Sequence, residues 1–296
     1  MVPRGLFVGL TTLDLVQRVA RAPGVDEKVV AQRSDLATGG PAAAAAVTFA
    51  ALGGRAVLLS ALGPGPIGRI AAQELAGCAV QLVDAWHDGA DLSVSAITVV
   101  DGTGERSVVS RNAEDVRALV PSGLADLVAD TDVVLIDGHR PELASAAAHA
   151  ARAAAVPVLL DCGSAKPVYA ELLATADAAI CSAGFTIGES AGFAAVAPAV
   201  LAHGARVAAM THGAAPVLWC TGEVTGAVPV PPVTVRDTLG AGDVLHGAAA
   251  FARARGIDDP ERMLGLGVAV ASVRVQHTGP RAWLTDERLA GLSARA

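Results

Sequence analysis

The densest concentration of reactive groups lies in Asp237-Thr238-Leu239-Gly240-Ala241-Gly242-Asp243, followed by Val244-Leu245-His246-Gly247-Ala248. Gly-Ala-Gly lets a backbone approach a ligand closely, and its position predicts that it opens a helix over residues 241–255. The unpaired N–H groups of such a terminus, with the positive end of the helix dipole, form an anion site. Asp243 falls in the first turn, a carboxylate beside that site. The combination suits phosphoryl transfer: the amides stabilise charge on the transferred group while the carboxylate accepts a proton from an attacking hydroxyl. A lone Gly-x-Gly-Asp is more often a capped helix start, so the elements around it matter.

Short apolar runs end in small or polar residues: Leu6–Leu10, Val57–Leu62, Val133–Asp137, Pro157–Asp161, Ala178–Ser182 and Val207–Thr211. Alanine-rich helical stretches separate them: Pro41–Leu52, Ile67–Ala76, Glu142–Ala155, Val168–Ala174 and Ala191–Ala202. Continuous apolar strands alternating with helices predict an α/β fold, a parallel sheet covered on both faces. Ligands bind such sheets at the carboxyl ends of the strands, where Asp137, Asp161, Ser182 and Thr211 fall. Residues 12–38 and 87–112 break the rhythm with alternating apolar and polar residues. The second contains a half-exposed hairpin, Ser93–Val100 and Arg106–Val109 around Asp101-Gly102-Thr103-Gly104. The expected architecture is one domain over residues 1–296 with these two segments inserted as a small β-sheet lid.

Composition narrows the partners. The net charge is −7 and aromatics make up 3%, which excludes a basic footprint for nucleic acid and a stacking platform for single strands. Cys78, Cys162, Cys181 and Cys220 are widely spaced, favouring a reducing compartment over disulfides or a zinc site. The apolar start is too short for a signal segment and no apolar run approaches a membrane span, so a cytoplasmic protein is expected. Of the 22 basic residues only Lys28 and Lys166 are lysines.

The Asp237–Gly247 stretch resembles the C-terminal signature of the PfkB (ribokinase-like) carbohydrate kinase family, D-T-x-G-A-G-D-x-F-x-G, with Leu245 in place of Phe. The N-terminal signature also appears, as Gly39-Gly40-Pro41 with the alanine run to Ala46 and then Leu52-Gly53. The resemblance covers about residues 5 to 290. It implies a ribokinase-like fold, ATP and Mg²⁺ as cofactors, transfer of the γ-phosphoryl group to a primary hydroxyl of a sugar, and a homodimer formed through the lid. By position it implies that Asp243 is the base and that Gly240, Ala241 and Gly242 form the anion hole. Asp14, Gly39 and Gly40 would touch acceptor hydroxyls. Thr211 and Gly213 would approach the nucleotide phosphates, with Ser182 and Lys166 at neighbouring strand ends. Asp237 resembles a ligand for a monovalent cation such as K⁺, used by some members.

Two positions depart from the family pattern. Ala44 stands where an Asn often touches the sugar. The strand end that often carries N-x-x-E reads Cys181-Ser182-Ala183-Gly184-Phe185; Glu189, one helical turn onward, is the available substitute. Near the expected acceptor site, Lys28, Asn112 (after Arg111) and Arg140 (after His139) supply positive or polar groups that a neutral sugar does not need. They fit an anionic substituent and are similar to the 6-deoxy-6-sulfofructose kinase branch, so an anionic ketose or fructose phosphate is the expected acceptor. The alternatives are a neutral sugar, a nucleoside, or a non-catalytic sugar or nucleotide sensor on the same fold. Gly63-Pro64-Gly65-Pro66-Ile67-Gly68 also fits the dinucleotide pattern G-x-G-x-x-G, weakly, with Asp84 as a poor ribose partner. His246 reads as a packed helix residue.

Overall fold

A computed structural model describes residues 1–111 and 116–296. Its centre is a nine-stranded sheet ordered Thr225–Val228, Ala215–Cys220, Val207–His212, Ala178–Ser182, Val158–Cys162, Val133–Ile136, Arg4–Val8, Arg55–Ser60 and Val80–Asp84. The strands from Val207–His212 to Val80–Asp84 run parallel, and the last two at the other edge are antiparallel. Side chains alternate between two cores, as the period of two in a strand demands. Phe7 and Leu135 enter one core; Leu6, Val8, Val134 and Ile136 enter the other.

Helices Pro41–Ala51, Ala241–Ala254 and Pro260–Arg274 cover the first core, and Pro141–Ala153 and Phe193–Ala202 cover the second. Proline at the first turn starts Pro41–Ala51, Pro66–Gly77, Pro141–Ala153 and Pro260–Arg274, where its missing N–H costs no hydrogen bond. The alanine-rich faces let the Pro41–Ala51 and Ala241–Ala254 helices pack closely. Phe7, Phe49 and Phe251 fill the space between them edge to face, with centroids 5.3 and 5.5 Å apart.

The inserted segments form a separate four-stranded sheet, ordered Arg33–Gly39, Thr12–Val19, Val94–Val100 and Arg106–Val109. The expected hairpin is its outer pair, in register from Ala96 opposite Val109 to Val99 opposite Arg106. Val16, Ile97 and Val99 turn inward and pack on Leu239, so this sheet rests directly on the loop before the Ala241 helix.

The helix and strand ends lie within a few residues of expectation. Pro260–Arg274 and the antiparallel edge strands were not anticipated. Glu189 is not one helical turn beyond Phe185: Thr186–Ile187 and Ser190–Ala191 form a tiny hairpin with Gly188 at φ 56°, and Glu189 is exposed at its tip. Among the described residues no helix is long and apolar enough to cross a membrane.

Candidate active site

Gly240 caps the Ala241–Ala254 helix at φ 72°, a left-handed conformation that glycine adopts without penalty. That turn sends the Ala241 N–H back to the Thr238 carbonyl at 3.2 Å. Ala241 therefore does not present its amide to a ligand as expected. Among the described residues the N–H groups of Gly242 and Asp243 have no acceptor, and these are the donors the helix start leaves open for an anion.

Asp243 is half-buried at this terminus. Burial first, then the Asp161, Asp137 and Asp14 carboxylates, push its carboxyl up to about 7, against the pull of His246. A carboxylate in that range can take up a proton near neutrality. Beneath it, His246 is buried, with Nδ1 2.8 Å from the Gly242 carbonyl and 3.5 Å from Asp161 Oδ2, and Nε2 3.2 Å from the Ile180 carbonyl. It braces the first helical turn against two central strands. Asp137 is a structural node: its Oδ2 accepts the Leu10 and Ala42 N–H groups at 2.8 and 3.2 Å, and its Oδ1 accepts that of His139 at 2.9 Å.

Asp14 projects from the lid strand Thr12–Val19 and accepts the Thr12 hydroxyl at 2.7 Å. Burial raises its carboxyl, against the hydroxyls of Thr12 and Ser95. A Cβ on Gly39 would lie 2.0 Å from Asp14 Oδ2, so glycine there is a requirement of this carboxylate's position. Gly40 caps the Pro41–Ala51 helix beside them. Asp14, Gly39, Gly40 and Asp243 thus share one region.

The other expected residues come from separate loops and strand ends, with Ser182 and Thr211 paired on adjacent strands. Lys28 is exposed in the loop between the first two lid strands. Asn112 lies outside the described residues. Arg140 is buried and donates from Nη1 to the Val116 carbonyl at 2.8 Å. Lys166 bends over its own loop, 3.2 Å from the Ser164 hydroxyl and 5.3 Å from the Tyr169 ring centroid. Ser182 donates to the Gly163 carbonyl at 2.7 Å. Thr211 and Gly213, the latter at φ 56°, end the Val207–His212 strand and begin its turn.

Two alternative ligands fit poorly. The helix start at Pro66 is capped from within, since Asp91 accepts the Ile67 and Gly68 N–H groups at 2.9 and 3.0 Å. Asp84 is committed to the Leu62 and Gly63 N–H groups at 2.9 and 3.2 Å. Neither is free to meet a dinucleotide. Asp237, the expected K⁺ ligand, instead meets Arg18 and Arg274, so its oxygens do not fit an added ion. Burial alone would raise its carboxyl, but Arg274, the Leu239 N–H and Arg18 hold it below the usual carboxylate range. Among the described residues no group of three His, Cys, Asp or Glu side chains converges to hold a metal ion. The two arginines were missed from sequence. Their one signal is a charge inside apolar surroundings, Val16-Gln17-Arg18-Val19 and Ser272-Val273-Arg274-Val275.

A model for the pfkB family of carbohydrate kinases matches residues 4–287. A candidate ribokinase from Agrobacterium tumefaciens is 26% identical and superposes with a TM-score of 0.84, covering 100% of this chain and 98% of that one. Arabidopsis thaliana ribokinase, solved with ribose and ATP, is 22% identical with a TM-score of 0.77 and 99% of each chain covered. Adenosine kinase from Sinorhizobium meliloti is 21% identical with a TM-score of 0.76, covering 100% of this chain and 99% of that one. With both glycine signatures placed at one sheet edge under a β lid and the family model spanning nearly its whole length, the chain belongs to the pfkB family of carbohydrate kinases.

Proposed function

We propose that this kinase transfers the γ-phosphoryl group of ATP to a primary hydroxyl of an anionic ketose, such as a sulfonated or phosphorylated fructose. The observation that carries the transfer is Asp243: a half-buried carboxylate pushed up to about 7 at a helix start with open amides. Asp243 takes the proton as the acceptor oxygen bonds to phosphorus. The bond from phosphorus to the β–γ bridging oxygen breaks, and ADP leaves. The Gly242 and Asp243 N–H groups hold the transferred group, which needs donors fixed where charge develops. Asp14, set by Gly39, orients the acceptor.

Thr211, Gly213, Ser182 and Lys166 lie at the strand ends where the nucleotide phosphates would bind. Mg²⁺ would enter with ATP as its complex, consistent with an ion that usually keeps several waters and one or two protein oxygens. The anionic acceptor is supported by Arg140, a buried guanidinium beside the strand end at Asp137; Lys28, exposed between the first two lid strands, is the second cation we assign to it. We read residues 1–296 as one domain and the lid as a homodimer contact, supported by Leu36, Val108 and Val109, which are half or more exposed on its surface.

A coupled ADP-release screen over neutral, phosphorylated and sulfonated sugars, with adenosine included, tests this reading. ADP release that depends on an anionic ketose is expected. Equal rates with ribose or adenosine would move the acceptor to the neutral class, and no sugar-dependent release would favour a sensor.

A further inference from the structure

Asp237 precedes the anion-binding turn, and both of its carboxylate oxygens already face donors. Oδ2 is 2.7 Å from Arg18 Nη2 and 3.4 Å from Arg274 Nη2, with all three side chains 2–3% exposed. Oδ2 also accepts the Gly279 N–H at 3.1 Å, and Oδ1 accepts the Leu239 N–H at 2.9 Å. The neighbouring carbonyls are taken as well, since Arg274 Nη1 donates to those of Asp237 and His277 at 3.4 and 3.0 Å. Arg18 comes from the lid, and its Nη1 donates at 2.9 Å to Asp101, in the hairpin turn that follows the neighbouring strand Val94–Val100. Two more guanidiniums flank the cluster, Arg33 paired with Asp35 and Arg281 paired with Glu74. Four guanidiniums therefore meet four carboxylates, and a further cation would enter a site whose charge is already balanced.

We propose that Arg18 and Arg274 are a built-in cation for Asp237, which fixes the 237–240 loop without a monovalent ion and ties its setting to the lid. A guanidinium is suited to this: it is always charged, weakly hydrated, and offers several donors in one plane to a carboxylate and its neighbouring carbonyls. Arg106 adds a second strut from the lid, donating to the Thr238 hydroxyl at 2.9 Å. Arg18 is on this view a positioning residue, acting through Asp237 on the turn that presents the Gly242 and Asp243 amides.

The test is thermal unfolding of the full chain in KCl against tetramethylammonium chloride at matched ionic strength. The unchanged protein should unfold at the same temperature in both, within about 1 °C. Arg18→Met, which opens one side of the carboxylate, should be stabilised by K⁺ over tetramethylammonium by about 2 °C or more, as a ligand bound to the folded state alone would do. K⁺-specific stabilisation of the unchanged protein overturns the proposal, as does a folded Arg18→Met protein indifferent to K⁺. If Arg18→Met fails to fold, the comparison on the unchanged protein still decides. A second readout rests on the kinase reading: sugar-dependent ADP release by the unchanged protein should vary less than about twofold between the two salts, and activation by K⁺ of more than tenfold overturns the proposal. Absence of any sugar-dependent release would refute the kinase reading and leave the unfolding result standing.

Discussion

Replacing Asp243 with Asn removes a proton acceptor and a strained charge together, so two measurements should move in opposite directions. The carboxyl titrates at about 7 in the fold against an ordinary value of 3.8. A raised carboxyl means that the folded chain binds more protons than the unfolded one between those values, so ionising Asp243 destabilises the fold as pH rises through 7. The gap of about three units corresponds to a ceiling of about 4 kcal/mol at 1.36 kcal/mol per unit. Water reaches a half-buried side chain and screens it, and halving for that leaves about 2 kcal/mol. For a chain of this length, that is a rise of about 3 °C in unfolding temperature for Asp243→Asn at about pH 8. The rise should vanish at about pH 4, where Asp243 is protonated in the fold and little charge is removed.

Turnover should fall by about 10³-fold, within the range for loss of a general base. In the unchanged protein kcat/KM should climb with pH to a plateau above about 7. Differential scanning fluorimetry at the two pH values, beside ADP-release kinetics, reads both quantities. An Asp243→Asn protein that turns over at the wild-type rate, or one whose unfolding temperature is no higher at pH 8 than that of its parent, refutes the reasoning.

Gly39→Ala should raise KM for the acceptor about tenfold or more with little change in unfolding temperature, because the new methyl group displaces the Asp14 carboxylate 2.0 Å away; unchanged KM in steady-state kinetics would remove Asp14 from acceptor binding. Arg140→Ala should raise KM for an anionic ketose far more than for a neutral one, and equal effects on both would count against an acceptor anion at this guanidinium. Its unfolding temperature must be followed in parallel, since Arg140 also donates to the Val116 carbonyl. Asp91→Ala should cost about 1 kcal/mol in chemical denaturation, the usual loss for a helix cap, because the Ile67 and Gly68 N–H groups lose their acceptor.

Much of the architecture was legible without coordinates. Strand runs such as Val133–Ile136, buried on both faces, are continuous in apolar residues, and the alanine-rich helices between them follow from local periodicity. The anion turn was legible too, since Gly240 at positive φ and Asp243 three residues on are neighbours in the chain. The small lid sheet was visible as alternation and turn residues, though the parallel pairing of Thr12–Val19 with Val94–Val100 was not.

What the sequence by itself determined, then, is whatever depends on residues within a turn or two of one another: element type, the glycine loops, and the carboxylate beside them. Tertiary structure decided which charges meet. Arg18, Asp237 and Arg274 lie on three distant segments, and Asp161 meets His246 across 85 residues of chain. Local pattern does not encode the partner of a buried charge, because Coulomb attraction and hydrogen bonding act across whichever segments folding brings together. For the same reason the acid expected to ligate an ion was found already neutralised by two arginines; the Ala241 amide, by contrast, is closed locally by the Thr238 carbonyl, through the left-handed turn at Gly240.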